Sequence, residues 1–91
     1  MHYVYFLKSK NKKFNYVGTT HDLRNRLQEH NSGLVGSTKP YIPLKLVYYE
    51  AYLSEKDAFT REYHLKHSGA AIGHLKNRIK NSLFDPEDII A

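Results

Sequence analysis

Residues 16–30, YVGTTHDLRNRLQEH, force a strand to give way to a helix within a few positions, and any fold of this chain must accommodate that junction. Tyr16-Val17-Gly18 closes a β-type run, Thr19 and Thr20 offer hydroxyl caps, and the spacing predicts a helix over 21–31 with Leu23 and Leu27 one turn apart. Taking Leu23 as zero and roughly 100° per residue, Leu27 falls near +40°, Arg26 near −60° and His30 near −20°. Arg26 and His30 therefore border the buried stripe, where a side chain with an apolar stem and a charged tip is well placed to hold an anion.

The flanking segments define what that junction packs against. Residues 2–7 (HYVYFL) are continuously apolar after His2 and read as a strand buried on both faces. The polar run 8–13 (KSKNKK) joins it to a second strand over 14–18 as an antiparallel hairpin with a long loop. Four lysines at that tip serve solubility as readily as they serve a phosphate backbone. Asn31-Ser32-Gly33 ends the first helix, and residues 34–43, with Pro40 and Pro43, read as an irregular loop. Residues 44–52 (LKLVYYEAY) give the longest strand signal and are expected at the centre of a three-stranded sheet.

Ser54 then caps a helix over 55–67, with Asp57 completing a capping-box-like pair and Phe59 and Tyr63 as its buried stripe. On that phase Glu62 and Lys66 border the core of the second helix as Arg26 and His30 border that of the first. Ser68-Gly69 ends it, and Ala71, Ile72, Leu75 and Ile79 space a third helix over 70–80. The resulting fold class is α+β, a small α/β sandwich of one largely antiparallel three-stranded sheet flanked by about three helices, with the site on one sheet face. Residues 1–84 form one domain and 85–91 a short acidic tail.

Composition narrows the function classes. Ninety-one residues, 41% hydrophobic and 25% charged, suit one globular domain rather than a disordered chain. The absence of cysteine removes disulfides and thiolate zinc sites. No apolar run approaches the roughly 20 residues of a membrane span and the N-terminus lacks a signal-peptide layout, so a cytoplasmic protein with no membrane partner is expected. The net charge is +5, but three of the nine acids fall in the last seven residues, leaving 14 basic against six acidic groups in 1–84. That balance fits either a phosphate-rich partner or a solvated basic surface.

The residues that could carry chemistry each have an ordinary structural alternative. Tyr5 and Tyr16 serve equally as core tyrosines with satisfied hydroxyls. Arg26 and Glu62 could form an ion bridge with each other. His64 and His67, three apart with no third ligand, are a weak zinc signal.

Taken together, the order and these residues resemble the GIY-YIG endonuclease family. Tyr3-Val4-Tyr5 matches its first signature, Tyr16-Val17-Gly18 its second, and LRNRLQEH at 23–30 its arginine-and-histidine helix. SEKDAFTREYHLK at 54–66 matches its glutamate helix. The resemblance runs from Tyr3 to about Lys66 and is greatest to small standalone members related to the incision domain of nucleotide-excision repair, which share the HNSG and KLVYYE-like segments. It departs at Tyr3, which replaces the naming glycine, and after Lys66, where no role is carried over.

The resemblance implies a metal-dependent endonuclease hydrolysing DNA phosphodiester bonds, in repair or recombination. Tyr5, Tyr16, Arg26, His30 and Glu62 would be catalytic, with Glu62 holding one Mg²⁺ or Mn²⁺. Arg26 would brace the phosphate, Tyr5 or Tyr16 would orient or deprotonate the water, and His30 would share in the proton transfer. Gly18, Arg24, Lys39 and Lys66 would contact nucleic acid, Gly18 by admitting the phosphate close to the backbone. Expected partners are structured or branched DNA and a protein supplying target specificity, the chain itself being a monomer or weak dimer. The competing function is a non-catalytic nucleic-acid-binding module of the same fold, and a second is an interaction domain that recruits a nuclease.

Overall fold

The doubly apolar run near the N-terminus holds the centre of the sheet. A computed structural model describes residues 1–84, and the acidic tail expected at 85–91 lies outside them. The elements are β1 (His2–Ser9), β2 (Asn15–Thr20), α1 (Leu23–Asn31), a 3-10 turn (Lys39–Tyr41), β3 (Leu44–Tyr52), α2 (Glu55–His67), α3 (Gly69–Arg78) and α4 (Lys80–Leu83). The sheet is antiparallel throughout, in the order β2-β1-β3. β3 is thus an edge strand and not the centre expected from its length. Burial decides the matter: Val4 through Leu7 are covered on both faces, whereas Tyr49 and Ala51 of β3 are exposed.

Alternation along β1 divides the core in two. Val4 and Phe6 point to one face with Val17, under Ala58 and Leu65 of α2 and Leu75 of α3 with neighbouring Ile79. Tyr5 and Leu7 point to the other, against Tyr16, Leu23 and Leu27. An irregularity in the β1–β3 register between Phe6 and Leu7 lets Leu44 and Leu46 join the α1 face while Tyr48 and Tyr52 face α2.

Local chemistry sets the helix ends. α1 starts at Leu23, not His21, because Asp22 and neither threonine is its cap: the Asp22 carboxylate accepts from Asn25 N–H at 3.0 Å. Thr20 instead closes a local turn with the Asp22 backbone. At its other end Gly33 has φ +78°, its N–H donates to His30 O, and Leu34 N–H donates to Glu29 O, a Schellman closure. α2 has the expected bounds and cap: Asp57 N–H donates to Ser54 Oγ, although no return bond from the Asp57 side chain completes the capping box. Ser68 then caps α3, accepting from Ala71 N–H, and α3 gives way to α4 at Ile79.

The phase of α2 differs from expectation. Ala58 and Leu65 are its buried residues, while Phe59 and Tyr63 are 50% and 60% exposed. Small Ala58 lets the helix sit close on the sheet, and the two large rings turn outward. Measured from Ala58, Glu62 lies at roughly +40° and Lys66 at roughly +80°, so both still flank the buried stripe.

A second polar cluster fixes α2 to β3. Glu50 accepts from both Arg61 Nε and Nη2 at 3.0 Å and from the hydroxyls of Tyr48 and Tyr52. Burial opposes the Glu50 charge, but Arg61 and the two phenols outweigh it and hold the carboxyl below the usual range. Burial, with bonding to the carboxylate, pushes both phenols up to about 12.

Candidate active site

Pairing of β1 with β2 puts Tyr5 opposite Gly18, and alternation puts Tyr16 on the same face. A Cβ on Gly18 would stand 2.5 Å from Tyr5 Oη and 2.6 Å from its Cζ. The glycine makes room for the phenol, so its place in the strand has a reason in Tyr5.

The Tyr5 hydroxyl is enclosed by α1. Its oxygen lies 2.8 Å from His30 Nε2, and Arg26 Nε donates to it at 3.4 Å. His30 Nδ1 lies 2.8 Å from Thr38 Oγ1, and that hydroxyl donates to Val35 O at 3.3 Å. Since the Thr38 proton goes to a carbonyl, we assign the Nδ1–H tautomer to His30, donating to Thr38; Nε2 then accepts the Tyr5 proton. Burial, with Arg26 adding, lowers the His30 pKa and so favours this neutral form. Burial likewise raises the Tyr5 pKa, against the bond from Arg26 and helped by the negative charge of Glu62.

Arg26 also pairs with Glu29 at 3.0 Å, and no described residue bonds its Nη2. Its partner is thus Glu29 within α1, not Glu62. Arg26 lines a cleft of about 370 Å³ between the end of β2 and the two helices, together with Thr19, His21, Glu29, Glu55 and Phe59. Tyr16 packs 6.2 Å from Tyr5 and 5.1 Å from His30, ring to ring, and its hydroxyl makes no hydrogen bond among the described residues. Tyr5 is 2% exposed, so Tyr16 offers the reachable phenol.

Glu62 comes from α2, on the opposite side of the sheet. The expectation of a site on one face is therefore corrected: the residues meet around the free edge of β2. Lys66 bridges the two sides, its Nζ 5.6 Å above the Tyr16 ring and 3.1 Å from Glu62 Oε2. Glu62 Oε1 takes no bond among the described residues. One carboxylate oxygen is open to a hard cation, which ordinarily completes its shell with water and substrate phosphate. Among the described residues no group of three or more His, Asp or Glu could hold a metal alone.

Tyr5, Tyr16, Arg26 and His30 are thus brought together, with Glu62 and Lys66 across the edge. Arg24 is exposed roughly 200° around α1 from Arg26, and Lys39 lies beside Gly33; neither lines the cleft. His64 and His67 pack with Tyr63 and form no metal cluster. Thr38 and Glu29 were missed by sequence reasoning. Thr38 sits in a segment read as irregular loop and is in fact fully buried; a threonine between Ser37 and Lys39 gives no signal of that.

A three-stranded antiparallel sheet with tyrosines on two paired strands, an arginine and a histidine on one helix and a glutamate on another is the layout of a class of small α+β nuclease domains. Comparison confirms it: residues 1–81 match the GIY-YIG catalytic domain model, and the chain belongs to that family of DNA-cleaving domains. A UPF0213 protein of Clostridium perfringens is 40% identical over 67 residues, 72% of this chain and 71% of that protein. A UPF0213 protein of Staphylococcus haemolyticus is 39% identical over 66 residues, covering 71% and 79%. The solution NMR structure of UPF0213 protein BH0048 from Bacillus halodurans aligns with a TM-score of 0.53 at 34% identity, over 85% of this chain and 83% of that one. No helix among the described residues is long and apolar enough to cross a membrane.

Proposed function

We propose that this chain is a divalent-metal-dependent endonuclease acting on structured or branched DNA, with target choice left to DNA shape or a protein partner. The observation that carries this reading is the Tyr5 phenol held between His30 and Arg26, beside an open Tyr16 hydroxyl and across the β2 edge from Glu62. A structural tyrosine needs one partner; here an arginine, a histidine and a threonine are arranged behind it.

Glu62 would hold a single Mg²⁺ or Mn²⁺ through its open oxygen. When bound, such an ion withdraws charge from the phosphate and acidifies water. Arg26, fixed by Tyr5 and Glu29, presents its free Nη2 to a non-bridging phosphate oxygen in the cleft. Tyr16 orients the attacking water opposite the leaving oxygen. His30, fully buried, acts through Tyr5 and is a positioning residue, as is Thr38. Lys66 neutralises Glu62 in the free protein and is close enough to shift to the phosphate when the carboxylate is engaged.

The test is incision of labelled duplex, single-stranded, flap, splayed and four-way DNAs with Mg²⁺ or Mn²⁺, wild type beside Glu62→Ala. Wild type is expected to cut at least one shape and the variant none, with folding unchanged. Retained cleavage by the variant overturns the role given to Glu62, and no cleavage by wild type on any substrate, with salt-sensitive binding intact, overturns the nuclease in favour of a binding module.

A further inference from the structure

Among the described residues the outer edge of β2 has no neighbouring strand, and a groove of about 470 Å³ runs along it. Its walls are Phe14 and Tyr16 on one side and Leu65 and Ile72 on the other, with Lys66 and Lys76 among the lining residues. Phe14 and Asn15 also line an adjoining depression with Lys12 and Lys13 of the hairpin loop. Among the described residues no acidic side chain lines either. An open, largely apolar groove whose charged lining residues are lysines suits an aromatic base attached to phosphates.

The position is as telling as the chemistry. Tyr16 forms a wall of this groove and packs against Tyr5 and His30, so an occupant of the groove sits one residue from the candidate site. Phe14 is stacked on Tyr41 at 3.7 Å and 3° between ring planes, which fixes it as a rigid wall. Lys76 belongs to α3, the segment to which no role was carried from the family resemblance.

We propose that this groove seats an unpaired nucleobase beside the phosphate to be cut, with Lys66 and Lys76 on the flanking phosphates. The proposal rests on the nuclease reading and narrows its substrate class to nucleic acid bearing at least one unstacked base. A fully paired strand cannot fill the slot without extruding a base, which disfavours it.

The test uses the full chain without divalent cations, so that binding is read apart from cleavage. Fluorescence anisotropy compares a duplex, the same duplex with one unpaired base, and that DNA with the unpaired position abasic. The base-bearing DNA is expected to bind roughly tenfold or more tighter than both others, the scale of one base stacked on aromatic walls. Lys76→Glu, at an exposed helix position, should weaken binding of all three DNAs alike and reduce the logarithmic salt slope by about one or more. Equal affinity for abasic and base-bearing DNA, or an unchanged affinity and salt slope in Lys76→Glu, overturns the proposal and leaves the groove to an extended peptide. Intact preference in a protein that cuts nothing would refute the nuclease and leave the base site standing; cleavage without preference does the reverse.

Discussion

Gly18→Ala tests the core of the site without replacing any polar side chain. The added Cβ would meet Tyr5 Oη at 2.5 Å, its Cζ at 2.6 Å and Tyr16 Cε2 at 3.0 Å. Ordinary carbon contact begins near about 3.5 Å, so the Tyr5 ring must retreat by roughly 1 Å. It is enclosed and its hydroxyl is tied to His30 at 2.8 Å. Overpacking of this kind costs about 1–3 kcal/mol, and a lost bond to buried His30 adds about 1 kcal/mol. Restricting the unfolded chain returns about 0.4–1 kcal/mol. The net is about 1–3.6 kcal/mol, a fall in Tm of about 4–29 °C for a domain of this size. Thermal unfolding followed by circular dichroism measures it, with Gly36→Ala as control, since nothing lies within 4 Å of that position. A Gly18→Ala protein melting within about 3 °C of wild type would refute the argument that this glycine exists for Tyr5.

Three further expectations follow from the same contacts. The folded His30 pKa is lowered, so the unfolded chain takes up that proton first; stability is full above about pH 6.5 and declines as pH falls from there through the folded value. His30→Gln should remove that part of the slope between about pH 7.5 and 5, and identical slopes would contradict it. Glu50 is held below the usual range, so its contribution is full above about pH 4.3 and lost as pH falls through the folded value. Glu50→Gln should cost about 2–3 kcal/mol at neutral pH, read by urea unfolding, because Arg61 and two phenols lose their charged acceptor. On α2, Phe59→Ala should change stability by less than about 0.5 kcal/mol while Leu65→Ala costs about 2–4 kcal/mol, and the reverse order would restore the phase read from sequence.

That reversal of phase shows where sequence reading works. The bounds of α2 are local facts, fixed by the Ser54 cap and by acids in the first turn, and they emerge correctly from seven or eight residues. Which side is buried depends on the partner surface, and size misleads there. Phe59 and Tyr63 have the larger apolar area, but close packing on Val4 and Phe6 selects Ala58. The centre of the sheet was misplaced for a related reason. Length favoured β3, whereas the deciding mark lay in β1, whose apolar run Tyr3–Leu7 is one residue longer than Leu46–Tyr49 of β3 and is buried over four consecutive positions. Thr38 was illegible because its role depends on the return of a loop to α1 eight residues after His30.

The placement of the site around an edge explains why its two halves differ so much in construction. On the α1 side the groups are buried and mutually bonded, Tyr5 to His30 to Thr38, and their geometry is set by core packing. On the α2 side Glu62 and Lys66 are partly exposed and ion-paired with each other one turn apart, with Lys66 also over the Tyr16 ring. A substrate phosphate that meets both must lie across β2, a strand of six residues whose outer edge is unpaired. That edge leaves room for the strand that a central position would close. An exposed sheet edge ordinarily invites association; here the lysines that line it repel a second basic copy and attract a polyanion. Under the proposed function, the same charges that oppose pairing of the edge with itself would hold it open for a nucleic acid.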